Sequence, residues 1–212
     1  TGTMIDKAII EQAIKALPDA LVVIDEAYIE FCPEYSVADL LKSYPNLVVL
    51  RTLSKAFALA GARCGFMLAN EAVVDIIMRV IAPYPVPLPV SEVATQALSS
   101  AGVARMKVQV AQLNEQGARL TAAISAYCSK SNSSDSRARV LKPNGNYVLA
   151  EFDDVAKVAA LLQGSGVVAR AYKDPRLAKA IRFSFSSKAD TDVLVNLFES
   201  QRTEQSPETN NK

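Results

Sequence analysis

The stretch Arg51-Thr-Leu-Ser-Lys-Ala-Phe-Ala-Leu-Ala-Gly-Ala-Arg-Cys-Gly-Phe66 decides how the rest of the chain is read. It sets one lysine, Lys55, in a turn with two hydroxyls, Thr52 and Ser54, and places an arginine, Arg63, eight residues further on. The apolar run Leu47–Leu50 that enters the turn has strand length, and Cys64–Leu68 that leaves it predicts a second strand. Upstream stands another cluster, Val22-Val-Ile-Asp25-Glu-Ala-Tyr28. It closes the short β-branched run Ala20–Ile24, which predicts a buried parallel strand covered on both faces. Ligands of open α/β sheets bind outside the carboxyl ends of such strands, where Asp25 stands.

Working outward, Met4–Leu17 carries helical spacing through Ile5, Ile9, Ala13 and Leu17, with Thr3 as the expected N-cap. Val37–Lys42 predicts a short helix, and Glu71–Ile81 a longer one. Pro83-Tyr-Pro-Val-Pro-Leu-Pro89 predicts a rigid connector, because its four prolines remove backbone donors. A helix follows from Ser91, its candidate cap, to Ser99. Ala104–Tyr127 has long helical periodicity through Met106, Val110, Leu113, Leu120 and Ile124. Beyond a polar stretch, Ser129–Ser136, come a strand at Tyr147–Glu151, a helix at Asp154–Gln163, a turn at Gly164-Ser-Gly166 and a short strand within Val167–Ala171. A strand at Ile181–Ser186 and a helix at Asp190–Ser200 complete the order.

The fold class expected is α/β: a mostly parallel sheet between helices, then a smaller α+β domain. The divisions are residues 1–103, a connecting helix at 104–128, a small domain at 129–202 and a frayed tail at 203–212.

Composition narrows the function. The 212 residues carry 23 basic and 22 acidic side chains, so no charged block argues for nucleic acid or an anionic membrane. Histidine is absent, which removes imidazole acid–base chemistry and ordinary zinc sites. Three widely spaced cysteines, Cys32, Cys64 and Cys128, read as reduced thiols of a cytoplasmic protein. No apolar run reaches the ~18 residues of a membrane span. Asn132-Ser-Ser matches a glycosylation sequon by chance.

A lysine amine, an anion-binding set and a strand-end carboxylate together suit a phosphorylated aldehyde cofactor with a cationic ring. Pyridoxal 5′-phosphate has these properties. Five pieces carry a family resemblance, in order: Asp25-Glu-Ala-Tyr-Ile-Glu-Phe31, Thr52-Leu-Ser-Lys-Ala-Phe57, Leu59-Ala-Gly-Ala-Arg-Cys-Gly65, Ile81-Ala-Pro-Tyr-Pro85 and Ile181-Arg182. With them the chain resembles the C-terminal part of the histidinol-phosphate aminotransferases, fold type I enzymes of the aspartate aminotransferase superfamily. Thr1-Gly2 resembles the second half of that family's Asn-Pro-Thr-Gly motif, so the expectation is a truncated piece of a longer enzyme, with exposed strand faces and an unpaired edge.

The resemblance implies a role for each residue. Lys55 bonds the cofactor and moves the substrate proton; Asp25 pairs with the pyridine nitrogen, in preference to Glu26; Tyr28 donates to the ring oxygen. Thr52, Ser54 and Arg63 hold the phosphate, with Gly61 and Gly65 allowing close backbone approach. Arg182 clamps the substrate's anionic end, and Asn146, beside Tyr147, stands near the substrate. Tyr84 is a weaker candidate, because Pro85 replaces the family's asparagine. Read without the resemblance, Asp25 also suits a turn cap, Tyr28 core packing, Arg63 a surface ion pair and Arg182 a solvent-facing strand arginine.

The implied reaction is transamination between L-histidinol phosphate with 2-oxoglutarate and imidazole acetol phosphate with L-glutamate, by a homodimer. The neighbouring readings are an aromatic-amino-acid aminotransferase, a phosphothreonine decarboxylase, or a non-catalytic fragment or effector domain.

Overall fold

The computed structural model describes residues 1–129 and 138–203. The sequon at Asn132 and the terminal tail from residue 204 lie outside the described residues. The chain forms two compact units, Met4–Ala111 and Thr1–Thr3 with the described residues from Gln112 onward.

The first unit opens with helix α1, Lys7–Ala16. Asp6 caps it in place of Thr3, its carboxylate accepting from the Ala8 N–H at 2.7 Å. The apolar residues that mark the helical spacing, Ile5, Ile9 and Leu17, are exposed, while Ile10 and Ile14 are buried. Both stripes have i,i+4 spacing, and packing against Val37, Leu47 and Val49 selects the second. Strand β1, Val22–Asp25, pairs in parallel with β2, Leu47–Thr52. The crossover between them runs through 3-10 turns, one of which, Ala38–Lys42, stands where the short helix is expected. Strand β3, Gly65–Ala69, pairs antiparallel with β2, so the sheet order is β1-β2-β3 and the sheet is mixed. The chain between β2 and β3 is the lysine turn itself, which contains no α-helix to carry a parallel return.

Nor is β1 covered on both faces. Val22 and Ile24 pack into the core with Leu47 and Val49, whereas Val23 is 52% exposed. Leu50 and Phe66 are exposed as well. Helix α2, Glu71–Val80, is capped by Asn70, which accepts from the Ala72 N–H at 3.0 Å. Helix α3, Leu88–Ala97, starts inside the proline segment: Pro89 occupies the first turn, where the missing N–H has no helical partner to lose. Ser91 is therefore interior to the helix rather than its cap. Helix α4, Ser100–Cys128, has 29 residues, and the division between the units falls within it.

In the second unit, β4 (Arg139–Val140), β5 (Tyr147–Glu151), β6 (Arg170–Ala171) and β7 (Ala180–Ser184) form an antiparallel sheet of order β4-β5-β7-β6. The two-residue β4 carries no recognisable strand pattern. Helix α5, Val155–Gly164, lies between β5 and β6 and is capped by Asp154. Helix α6, Lys188–Thr203, follows β7. Val148, Ala150, Ile181 and Phe183 alternate onto one sheet face and pack with Leu120 and Ile124 of α4 and Phe198 of α6. Phe183 meets Phe152 and Phe198 edge to face, with centroids 6.3 and 5.8 Å apart.

Gly117 shows how tightly this core closes. A Cβ there would lie 2.3 Å from the Phe185 ring. Gly117→Ala gains about 1 kcal/mol of helix propensity but forces that ring to move, which costs about 1–3 kcal/mol. The expected result is a lower melting temperature; an unchanged or higher one would show that Phe185 repacks freely.

Candidate active site

Period-two alternation sorts the ends of β1 and β2 into two sets. Asp25 and Thr52 lie on one face of the sheet, and Arg51 lies on the other with Val49 and Ile24. Glu26, one residue past Asp25, turns to that second side and is 5% exposed. Its Oε2 accepts from Arg51 Nε at 3.0 Å and Nη2 at 2.9 Å. The Ser36 hydroxyl donates to the same oxygen and accepts from Arg51 Nη2. The Val37 N–H donates to Oε1 at 2.7 Å. Both oxygens of this buried carboxylate accept hydrogen bonds within the chain. Asp25, by contrast, is exposed at the strand end, one oxygen accepting from the Ala27 N–H at 2.9 Å.

Lys55 is half-buried in the turn after β2, its Nζ over the Tyr28 ring at 5.4 Å from the centroid. It has no carboxylate partner among the described residues. The ring attracts the ammonium without neutralising it. The Thr52 hydroxyl accepts from the Ser54 N–H at 3.1 Å and lies 2.9 Å from the Ser54 hydroxyl. Gly65, opposite Thr52, permits the strand pairing, since a Cβ there would lie 2.7 Å from the Arg51 carbonyl oxygen. A Cβ at Gly61 would meet nothing within 4 Å, so neighbouring side chains and backbone leave that position open.

The loop from Lys55 to Arg63 is strained. Ala58 and Arg63 both adopt left-handed backbone, with φ of 55° and 51°. Each costs about 1–2 kcal/mol for a residue with a Cβ. Arg63 is exposed and donates from Nη1 to the Ala60 carbonyl at 3.2 Å. Tyr84, also at positive φ, is 96% exposed.

Arg182 lies in the second unit, on the β7 face opposite the core. It stands directly across from Leu149 of β5 and from Arg170 of β6. Like charges opposed across strands repel, and neither arginine has an ion-pair partner among the described residues. Arg182 Nε is buried without an acceptor, a cost of about 1–3 kcal/mol. Both arginines line a cavity of about 930 Å³ together with Ser184, Ser186 and Asp190. Asp190 is engaged by the Ser186 and Ser187 hydroxyls. Such an arrangement is complementary to an anion. Asn146 is half-buried beside this strand pair, its carbonyl accepting from the Phe185 N–H at 2.8 Å.

The sequence pattern singles out Arg51 only as the first residue of the lysine stretch and Glu26 only as the lesser alternative to Asp25, and gives Arg170 no role. For Glu26 and Arg51 the signal is parity: residues 26 and 51 fall on the opposite face from residues 25 and 52.

Over residues 1–198 the chain matches the family "Aminotransferase class I and II", and it belongs to that family. Among curated proteins, the histidinol-phosphate aminotransferase of Shewanella oneidensis is 77% identical over 202 residues, covering 95% of this chain and 50% of that protein. The chain thus spans about half the length of the curated relatives it matches. The fold resembles the histidinol-phosphate aminotransferase of Clostridium acetobutylicum (TM-score 0.81, 19% identity, 96% of this chain and 61% of that one). It also resembles the Sinorhizobium meliloti histidinol-phosphate aminotransferase solved with pyridoxal-5′-phosphate (TM-score 0.75, 23% identity, 95% and 55% coverage).

Two predictions follow from the buried carboxylates. Arg51→Ala strands Glu26 as an unpaired buried charge and is expected to destabilise the chain by about 3 kcal/mol in denaturant unfolding; a loss below 1 kcal/mol would mean that water reaches the pair. Glu30 has one buried oxygen without a hydrogen-bond partner. Burial raises its pKa above the ordinary 4.5, with Arg51 partly opposing and Glu26 adding to the shift. Because folding disfavours its ionisation, stability is lost as pH rises from 4.5 through the raised value. Glu30→Gln should therefore gain stability over the parent chain at pH 7 relative to pH 4, measured as the difference in melting temperature.

Proposed function

We propose that this chain carries the lysine-bearing part of a pyridoxal-phosphate-dependent histidinol-phosphate aminotransferase. The reaction is amino-group exchange between L-histidinol phosphate with 2-oxoglutarate and imidazole acetol phosphate with L-glutamate. The observation that carries the reading is the pairing of β1 with β2. It brings an exposed strand-end carboxylate, Asp25, beside a turn bearing Lys55, Thr52 and Ser54. The 77% identity to a protein of that name supports the choice of substrate.

The donor set fits the cofactor: an amine without an ion-pair partner among the described residues, two hydroxyls and an arginine for a phosphate, a carboxylate for a ring nitrogen, and a phenol. When bound, pyridoxal phosphate supplies an aldehyde for amine exchange and a ring that withdraws electrons. Asp25 keeps the ring nitrogen protonated. Thr52, Ser54 and Arg63 take the phosphate oxygens, and Tyr28 donates its phenol proton to the ring oxygen. The Lys55 amine would carry a proton between the substrate α-carbon and the cofactor's aldehyde carbon. Arg182 takes the substrate's carboxylate or phosphate, with Asn146 beside it. The reading extends to a cytoplasmic homodimer acting on small molecules.

Borohydride reduction of the chain with pyridoxal phosphate, followed by peptide mapping, should fix the cofactor on the peptide bearing Lys55. Lys55→Ala should abolish that adduct. Adducts spread evenly over many lysines, or undiminished in the variant, would refute the assignment.

A further inference from the structure

Among the described residues Arg182 is held by an aromatic ring and forms no ion pair with a carboxylate. Its Cζ lies 4.9 Å from the centroid of Tyr147. The register explains the contact: Tyr147 pairs with Ser184 and Leu149 with Arg182, so Tyr147 and Arg182 are diagonal neighbours on one face of the sheet. At that spacing an aromatic and a long side chain reach each other. The ring is itself seated from the other side of the sequence. Gly2, at φ 76°, packs so closely on it that a Cβ would lie 2.9 Å from Tyr147 Cε2. The Asn144 N–H holds the Gly2 carbonyl at 2.8 Å.

We propose that Tyr147 is a positioning residue for Arg182: Gly2 seats the ring, and the ring presents the guanidinium to the anionic end of the substrate. This rests on the reading of Arg182 as the substrate clamp. The chemistry separates a ring from the usual alternative. A carboxylate beside Arg182 would occupy the N–H donors that an incoming carboxylate needs, and would repel that carboxylate. A ring attracts the cation while taking none of those donors. The buried Nε, without an acceptor, is then left for the ligand. The aromatic face is what the role needs, so phenylalanine should replace tyrosine and an aliphatic residue should not.

The test is calorimetric titration of glutarate, a dicarboxylate analogue of glutamate, into the chain and four variants. Tyr147→Phe should bind within about twofold of the parent chain. Tyr147→Leu should bind about 3- to 30-fold more weakly, the range expected for loss of a cation–π contact. Gly2→Ala, which displaces the ring without removing it, should fall between them, and Arg182→Leu should abolish binding. The ring-current shift of the Arg182 Nε–H resonance should persist in Tyr147→Phe and vanish in Tyr147→Leu, which reports the contact apart from stability. Parental affinity in Tyr147→Leu, with binding still lost in Arg182→Leu, would overturn the positioning role and leave the clamp standing. No glutarate binding by the parent chain, or binding that survives Arg182→Leu, would overturn the clamp and this inference with it.

Discussion

The buried pair Glu26–Arg51 links the two strand ends on which the candidate cofactor site depends. Its members stand next to Asp25 and Thr52 in sequence yet on the opposite side of the sheet. One pair of residues locks the ends of β1 and β2, and the adjacent pair is left facing outward. A charge this deeply buried is tolerated only when fully hydrogen-bonded, and Ser36, Val37 and Arg51 meet that demand. Such a network holds the β1–β2 register, because a one-residue slip would bring Asp25 inward and leave Glu26 without its partners.

The second unit applies the same alternation differently. One face of its sheet is apolar and closes on α4 and α6. The other collects Tyr147, Arg170 and Arg182; neither arginine forms an ion pair among the described residues, and Asp190, which lines the same cavity, is engaged by serine hydroxyls. Two opposed guanidinium groups and a buried Nε without an acceptor are local costs to the fold. An anionic ligand would relieve both. The strained backbone at Ala58 and Arg63 is a comparable local cost in the first unit, placed beside the lysine turn.

Much of this was legible in the chain. The strand Tyr147–Glu151 and the helices α2, α5 and α6 follow from apolar period and flanking signals, and the structure agrees with them to within a few residues at each end. Errors arose where two local solutions compete. Helix α1 carries two apolar stripes, and only its neighbours decide that Ile10 and Ile14 go inside. Pro89 breaks a helix interior but starts one equally well, so the beginning of α3 was hidden by its own proline. The apolar run of β1 suggests burial on both faces, yet Val23 is exposed.

What the sequence determined by itself was the inventory: a lysine between hydroxyls, an acidic strand end and an arginine in a β-like run, in an order that belongs to one family. Residue type and local spacing suffice for that, because chemistry and secondary-structure period are written along the chain. What only the tertiary structure decided was partnership. Asp25 and Glu26 are adjacent in sequence and chemically alike, and pairing with Arg51 across the sheet makes one structural and leaves the other exposed. Arg182 in isolation is a strand arginine, and the cross-strand neighbours Arg170 and Tyr147 set its surroundings. These distinctions come from contacts between residues far apart in sequence, which local pattern does not encode.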